Sequence, residues 1–396
     1  MIDGLTGLNS FLCIFISGGM DMKRLIAVLI LIYFLCPGAL ASEPFTVDAK
    51  AAVLIDAASG RILFGQNENQ MLPMASTTKI MTALIALEKA SLEETVTTGK
   101  NASGVPGTSM YLSVDEKLSM EHMLYGLMLR SGNDASVAIA EHVAGSVDAF
   151  TDLMNTRAEE LGADAHFVNP HGLDAEGHKA SALGLAKIMR EAMKLESFRT
   201  ITGTTRKIVP WVGNEYSRVL ENKNRLLTDY EGATGGKTGY TGKAGRCLVF
   251  CAERDGLSLI GVVLNCPTWF DTAKRLLDYG FENFRTETAY EAGTVVASLP
   301  VTGGELTSVN ILAGSGLVAV VSIDSLTETS IHLPESVQAP IRAGQALGKA
   351  QIKSDGIVIS ECDLVAAADV ERRSLFRSII RIIQNWTTLL RADSSF

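Results

Sequence analysis

Pro73-Met74-Ala75-Ser76-Thr77-Thr78-Lys79-Ile80-Met81-Thr82-Ala83-Leu84 places Ser-x-x-Lys at the mouth of an apolar helical run. Pro73 and Ser76 are helix-start residues, and Ile80, Met81, Leu84, Ile85 and Leu87 follow at near-helical spacing. Residues three apart share a helix face, so Lys79 stands one turn beyond Ser76. A serine hydroxyl is a weak nucleophile and needs a base beside it. A lysine amine serves once neutral; bringing it from about 10.4 to near 7 requires roughly 4 kcal/mol. Burial among apolar side chains, or a second cation nearby, supplies a shift of that size. The same residues also describe a capped helix with a solvated lysine, so the reading depends on the rest of the chain.

Working outward, the residues before this stretch read as a strand pair. Ala51-Ala52-Val53-Leu54-Ile55-Asp56 and Arg61-Ile62-Leu63-Phe64 are joined by Ala57-Ala58-Ser59-Gly60. After it, residues 91–118 are polar and loop-like. Helical patterns occupy 120–129, 135–144, 149–161 and 182–193, with a turn at Asn169-Pro170-His171-Gly172-Leu173. Residues 232–245 are glycine-dense and carry Lys237-Thr238-Gly239. Strands at 246–253 and 257–265 turn at Arg254-Asp255-Gly256, and a closing helix covers 272–284. Strands at both ends with helices between them give an α+β domain, an antiparallel sheet with a helical cluster. From 294 to 370, short β-rich runs with Gly and Pro turns predict a small β domain.

The ends differ in kind. Met22-Lys23-Arg24, the apolar run 25–35 and Ala39-Leu40-Ala41 form a secretory signal; the run falls short of the roughly 20 apolar residues of a membrane span. Met20 and Met22 are both plausible starts, and the mature chain is expected to begin near Ser42, outside the cytoplasm. In the tail, Leu375, Ile379, Ile382, Ile383, Trp386 and Leu390 share one helical face, with Arg377, Arg381 and Arg391 opposite. Each arginine within a span costs about 2.5–3.5 kcal/mol, which favours a helix lying in the membrane interface or packed on protein. The expected division is 1–41 upstream segment and signal, 42–285 peptidase domain, 286–370 β-rich domain and 371–396 amphipathic membrane-anchor helix.

The 396 residues are 47% apolar and 20% charged, with net charge −9, which fits a folded protein and gives no support to nucleic-acid binding. Six scattered histidines show no metal-ligand spacing. Cys247, Cys251, Cys266 and Cys362 read as small buried apolar residues, with a Cys266 pairing left open.

Three elements line up in order: Ser76-x-x-Lys79 opening a helix, Ser131-Gly132-Asn133 in a loop after a helix, and Lys237-Thr238-Gly239 at a strand start. That trio belongs to penicillin-binding proteins and class A β-lactamases. With Gly107-Thr108-Ser109-Met110-Tyr111-Leu112, Leu129-Arg130-Ser131-Gly132-Asn133-Asp134-Ala135, Asn169-Pro170-His171-Gly172-Leu173 and Gly235-Gly236-Lys237-Thr238-Gly239-Tyr240-Thr241, the chain resembles the D-alanyl-D-alanine carboxypeptidases, the low-molecular-weight penicillin-binding proteins of the S11 peptidase family. The likeness covers residues 45–285 and extends to Ala339-Pro340-Ile341-Arg342-Ala343-Gly344-Gln345 and the tail. A class A Glu-x-x-Leu-Asn stretch is missing between Ser131 and Lys237.

The resemblance implies Ser76 as nucleophile and Lys79 as base. Ser131 relays a proton to the leaving amine, and the Asn133 amide holds the substrate backbone. Lys237 and Thr238 face the substrate carboxylate, beside Gly239, and the N–H groups of Ser76 and Tyr240 form the oxyanion hole. It implies removal of the terminal D-alanine from peptidoglycan stem peptides, binding of β-lactams, and a membrane surface as partner of the tail. No metal or cofactor is called for. The expected location is the outer face of the cytoplasmic membrane. A D,D-endopeptidase, or a β-lactam sensor without turnover, stands as the alternative.

Overall fold

The computed structural model describes residues 45–373. The signal at 22–41 and the helix expected over most of 371–396 lie outside the described residues. Five strands build the first sheet: β1 (Ala51–Asp56), β2 (Ile62–Gln66), β3 (Ala233–Thr241), β4 (Gly245–Arg254) and β5 (Leu257–Leu264). They pair antiparallel in the order β2-β1-β5-β4-β3.

All six residues of β1 are buried, which requires cover on both sheet faces. Alternation separates them: Val53 and Ile55 join the helical core, while Leu54 meets Gly280 of the closing helix Trp269–Asn283. The helical cluster comprises α1 (Lys79–Lys89), α2 (Met120–Tyr125), α3 (Asn133–Ala144), α4 (Val147–Glu160), α5 (Ala182–Ala192) and α6 (Glu196–Gly203), with Trp269–Asn283 as α7. Ser119, Ser146 and Ser181 each accept a first-turn N–H and so start α2, α4 and α5.

Helix α1 is the centre of this domain. Its first eight residues, Lys79 included, are all buried, so it is not the half-exposed amphipathic helix typical of a surface. Every side chain on that stretch leaves water, and its lysine goes with the rest.

Beyond α7 lie β6 (Phe284–Tyr290), β7 (Val295–Thr302), β8 (Ser308–Ala313), β9 (Leu317–Ser322), β10 (Thr327–His332), β11 (Val337–Gln338), β12 (Ala346–Ser354) and β13 (Ile357–Ala366). β6 pairs with β9, and the rest form a sheet in the order β10-β12-β13-β8-β7-β11 around a separate core that includes Ile311, Val321, Ile352 and Leu364. The α+β class with a β-rich C-terminal domain is the observed one. The β domain touches the first through Thr286 Oγ1, which donates to Gly256 O at 3.1 Å, and through Arg61, which donates to Val320 O.

Two local readings change. Lys237-Thr238-Gly239 sits within the nine-residue edge strand β3, not at a strand start. Residues 206–221, unassigned from sequence, fold as a hairpin of Arg206–Val209 on Arg218–Glu221. The four described cysteines are buried free thiols. No helix among the described residues is long and apolar enough to cross a membrane.

Candidate active site

Ser76 stands in a 3-10 turn, Ala75–Thr78, that runs directly into α1. The turn is tightened by its own hydroxyls: Thr77 Oγ1 donates to Met74 O at 2.6 Å and Thr78 Oγ1 to Ala75 O at 2.8 Å. Ala75 takes a left-handed backbone at φ 48°, a region that disfavours residues with a Cβ. Two glycines press on the next peptide. A Cβ on Gly172 would lie 2.0 Å from Ala75 O, and one on Gly239 would lie 2.9 Å from Ser76 N. Gly172 also has φ 91°.

Lys79 reaches back along the turn. Its Nζ lies 3.1 Å from Ser76 Oγ, 2.7 Å from Asn133 Oδ1 and 2.5 Å from His171 O. The last two are carbonyl oxygens and only accept. They take two N–H groups of the amine. In the neutral amine the remaining position is the lone pair, and it faces the Ser76 hydroxyl. Burial is the main force that holds the Lys79 pKa well below its ordinary value; the charges of Lys237 and Lys223 add to it, and Asp134 opposes.

Asn133 opens α3 and is engaged at both ends of its amide: Oδ1 accepts from Lys79, while Nδ2 donates to Pro106 O at 2.6 Å. Its amide therefore orients the lysine and the 106–108 loop. Ser131 is held at φ 64° in the turn before it, nearly buried. Lys237 lies under β3 with Nζ donating to Thr238 O at 3.0 Å; burial and then Lys223 lower its pKa to about 7. An arriving carboxylate would favour its charged form.

These groups surround a cleft of about 360 Å³ lined by Ser76, Gly107, Thr108, Ser131, Asn133, Gly172, Leu173, Lys223, Thr238, Gly239, Tyr240, Thr241 and Trp269. Of the eight residues expected from sequence, Ser76, Ser131, Asn133, Thr238, Gly239 and Tyr240 line it, and Lys79 reaches it through Ser76 Oγ; Lys237 is buried behind the β3 wall. Because β3 is the sheet's edge strand, N–H groups on its outer side have no strand partner.

Sequence reasoning passed over Lys223, an exposed cation on the cleft wall whose pKa is lowered by partial desolvation and then by Arg130. It also passed over the braces of the wall. The Asp134 carboxylate accepts from Met110 N, Leu112 N and Ser109 Oγ, at 3.1, 3.0 and 2.6 Å. Arg218 pairs with Glu116 through two hydrogen bonds at 2.7 and 2.8 Å and donates to Met110 O and Tyr111 O. Partners about 25 and 102 residues apart leave no local signal. Among the described residues no cluster of His, Cys, Asp or Glu is arranged to hold a metal ion.

The family model described as D-alanyl-D-alanine carboxypeptidase matches residues 38–268, and that of the penicillin-binding protein 5 C-terminal domain matches 284–372. The chain is 33% identical to D-alanyl-D-alanine carboxypeptidase DacF of Bacillus subtilis, across 92% of this chain and 99% of that protein. It is 31% identical to DacC of Escherichia coli, across 87% and 91%. Among solved structures, penicillin binding protein 5 from Haemophilus influenzae aligns with TM-score 0.73 at 31% identity, covering 83% of this chain and 99% of that one.

Proposed function

This chain belongs to the D-alanyl-D-alanine carboxypeptidase family of penicillin-binding serine peptidases, and we propose that Ser76 is the nucleophile with which it removes the terminal D-alanine of the peptidoglycan stem peptide. The observation that carries this is the dry Lys79 amine, 3.1 Å from Ser76 Oγ, with its other two near neighbours both carbonyl acceptors.

The Ser76 proton passes to Lys79 Nζ as Oγ bonds to the carbonyl carbon between the two D-alanines. The oxyanion lies between the N–H groups of Ser76 and Tyr240; losing one such donor typically costs 10²–10³ in rate. The C–N bond breaks, and the leaving amine takes a proton relayed by Ser131 Oγ. Water then hydrolyses the ester on Ser76. Lys237, Thr238 and Lys223 attract the terminal carboxylate, and Gly239 lets the β3 edge lie flat against the nucleophile. A β-lactam enters by the same first step. Purified protein given a pentapeptide ending in D-Ala-D-Ala is expected to release free D-alanine, and Ser76→Ala to release none. Penicillin labelling with no peptide turned over would instead make the chain a sensor. Faster turnover of a cross-linked dimer than of pentapeptide would make it an endopeptidase.

We read 1–41 as an export segment, 42–285 as the peptidase domain, 286–370 as the β-rich domain and 371–396 as an anchor helix. The supports are the basic, apolar and small-residue succession before Ser42 and the apolar face of the tail with arginines opposite. On this reading the enzyme works at the outer face of the cytoplasmic membrane. A chain ending at Glu371 is expected to leave the membrane pellet for the supernatant; continued pelleting with lipid contradicts the anchor.

A further inference from the structure

The turn that carries Ser76 is held from outside the cleft. The Thr78 hydroxyl, which donates to Ala75 O at 2.8 Å, also lies 2.8 Å from Nε2 of His178, a buried residue in the segment before α5. A threonine hydroxyl has one proton. With that proton on Ala75 O, Nε2 must carry a hydrogen and donate. The other ring nitrogen leads to the same state: Nδ1 accepts the Val168 N–H at 3.0 Å, so it carries none. Both ends select the neutral imidazole protonated on Nε2.

The Ala75 carbonyl and the Ser76 N–H belong to one planar peptide unit. Fixing the direction of the first therefore fixes the second. We propose that His178 is a positioning residue that aims the Ser76 N–H at the oxyanion by locking the Thr78 hydroxyl onto the Ala75 carbonyl. This rests on the assignment of that N–H to the oxyanion hole. In the other tautomer Nε2 would offer a lone pair, Thr78 would turn its proton toward it, and the Ala75 carbonyl would lose its side-chain partner. In the imidazolium, an N–H at Nδ1 would confront the Val168 N–H.

The surroundings favour the neutral ring. Burial, His166 and Lys79 oppose its charge, only Asp174 favours it, and its pKa falls to about 4. His171, itself neutralised by burial, and the edge-packed Phe167 ring complete the enclosure.

The test uses the full chain and the rate of Ser76 acylation by a fluorescent penicillin. His178→Leu is expected to slow acylation by about 10- to 100-fold, less than outright loss of a donor. Thr78→Val is expected to fall similarly, and the double variant no further, because both act through one hydrogen bond. His178→Gln keeps an N–H near the Nε2 position and is expected to recover most of the rate. Nitrogen-15 NMR of the wild-type ring is expected to show Nε2–H and a bare Nδ1 from pH 5 to 8, whether or not the variants fold. An Nδ1–H or doubly protonated ring at pH 6, or full-rate acylation of a folded His178→Leu, overturns the proposal. Wild-type protein that penicillin does not acylate overturns the parent reading and this inference with it, which separates the two failures.

Discussion

Lys79→Arg is expected to lose about 10²- to 10⁴-fold in acylation by penicillin and in release of D-alanine, the range contributed by a positioned base. The variant keeps a cation at the site. A guanidinium is never deprotonated in a protein, so it has no lone pair to offer the Ser76 hydroxyl. If Lys79 acted by its charge, arginine would preserve much of the rate. The structure argues for the base. The amine is buried and two neighbouring lysines disfavour its charge, and in the neutral form the carbonyl oxygens of Asn133 and His171 take its two N–H groups and leave the lone pair for Ser76. The measurement is the second-order acylation rate, with circular dichroism confirming the fold. Lys79→Met is expected to match the arginine variant.

Arg218→Ala is expected to destabilise the protein by about 3–5 kcal/mol, the cost of leaving one partner of a buried ion pair alone. Arg218 and Glu116 are 4% and 2% exposed at the side chain and meet at 2.7 Å. Burial alone would raise the Glu116 carboxyl; the Arg218 hydrogen bonds and the Ser113 N–H outweigh it and hold its pKa below the usual value. A carboxyl with a depressed folded pKa stabilises above its unfolded pKa and loses that stability as pH falls through the folded one. Without Arg218 only the backbone N–H groups of Ser113 and Val212 oppose burial, so the Glu116 pKa rises and acid should protonate it more readily and relieve part of the loss. Urea unfolding at pH 7 and pH 5 checks this: the deficit of the variant should shrink at pH 5. An equal deficit at both would mean that the carboxylate is not what the arginine satisfies. Activity should fall too, because Arg218 also holds the carbonyls of Met110 and Tyr111, which follow the cleft-lining Gly107 and Thr108 in the chain.

The approach of Ser76 and Lys79, the proposed nucleophile and base, was legible because three residues of spacing on a helical turn is a local relation, and the two side chains meet as that spacing requires. The strand pair before them and the helices 182–193 and 272–284 were legible by periodicity, to within a few residues of Ala182–Ala192 and Trp269–Asn283. β3 was not. Gly235, Gly236 and Gly239 lower strand propensity, yet each is required by close approach: to the Thr202 side chain, to Val249 O at φ 146°, and to Ser76 N. A sequence pattern cannot separate glycine that frees a loop from glycine that admits a neighbour. The contacts of Asn133 with Lys79 and Pro106 were not legible, because those partners are 54 and 27 residues away. Glu116, Arg218 and His178 were invisible for the same reason.

The proposed catalysis in this cleft turns on the protonation of one amine. Lysine labelled with carbon-13 at Cε, with the Lys79 signal assigned by its loss in Lys79→Arg, reports that directly. The Lys79 signal should be that of a neutral amine at pH 8, while the exposed lysines remain charged. A Lys79 ammonium persisting to pH 10 in protein that penicillin acylates normally would contradict it.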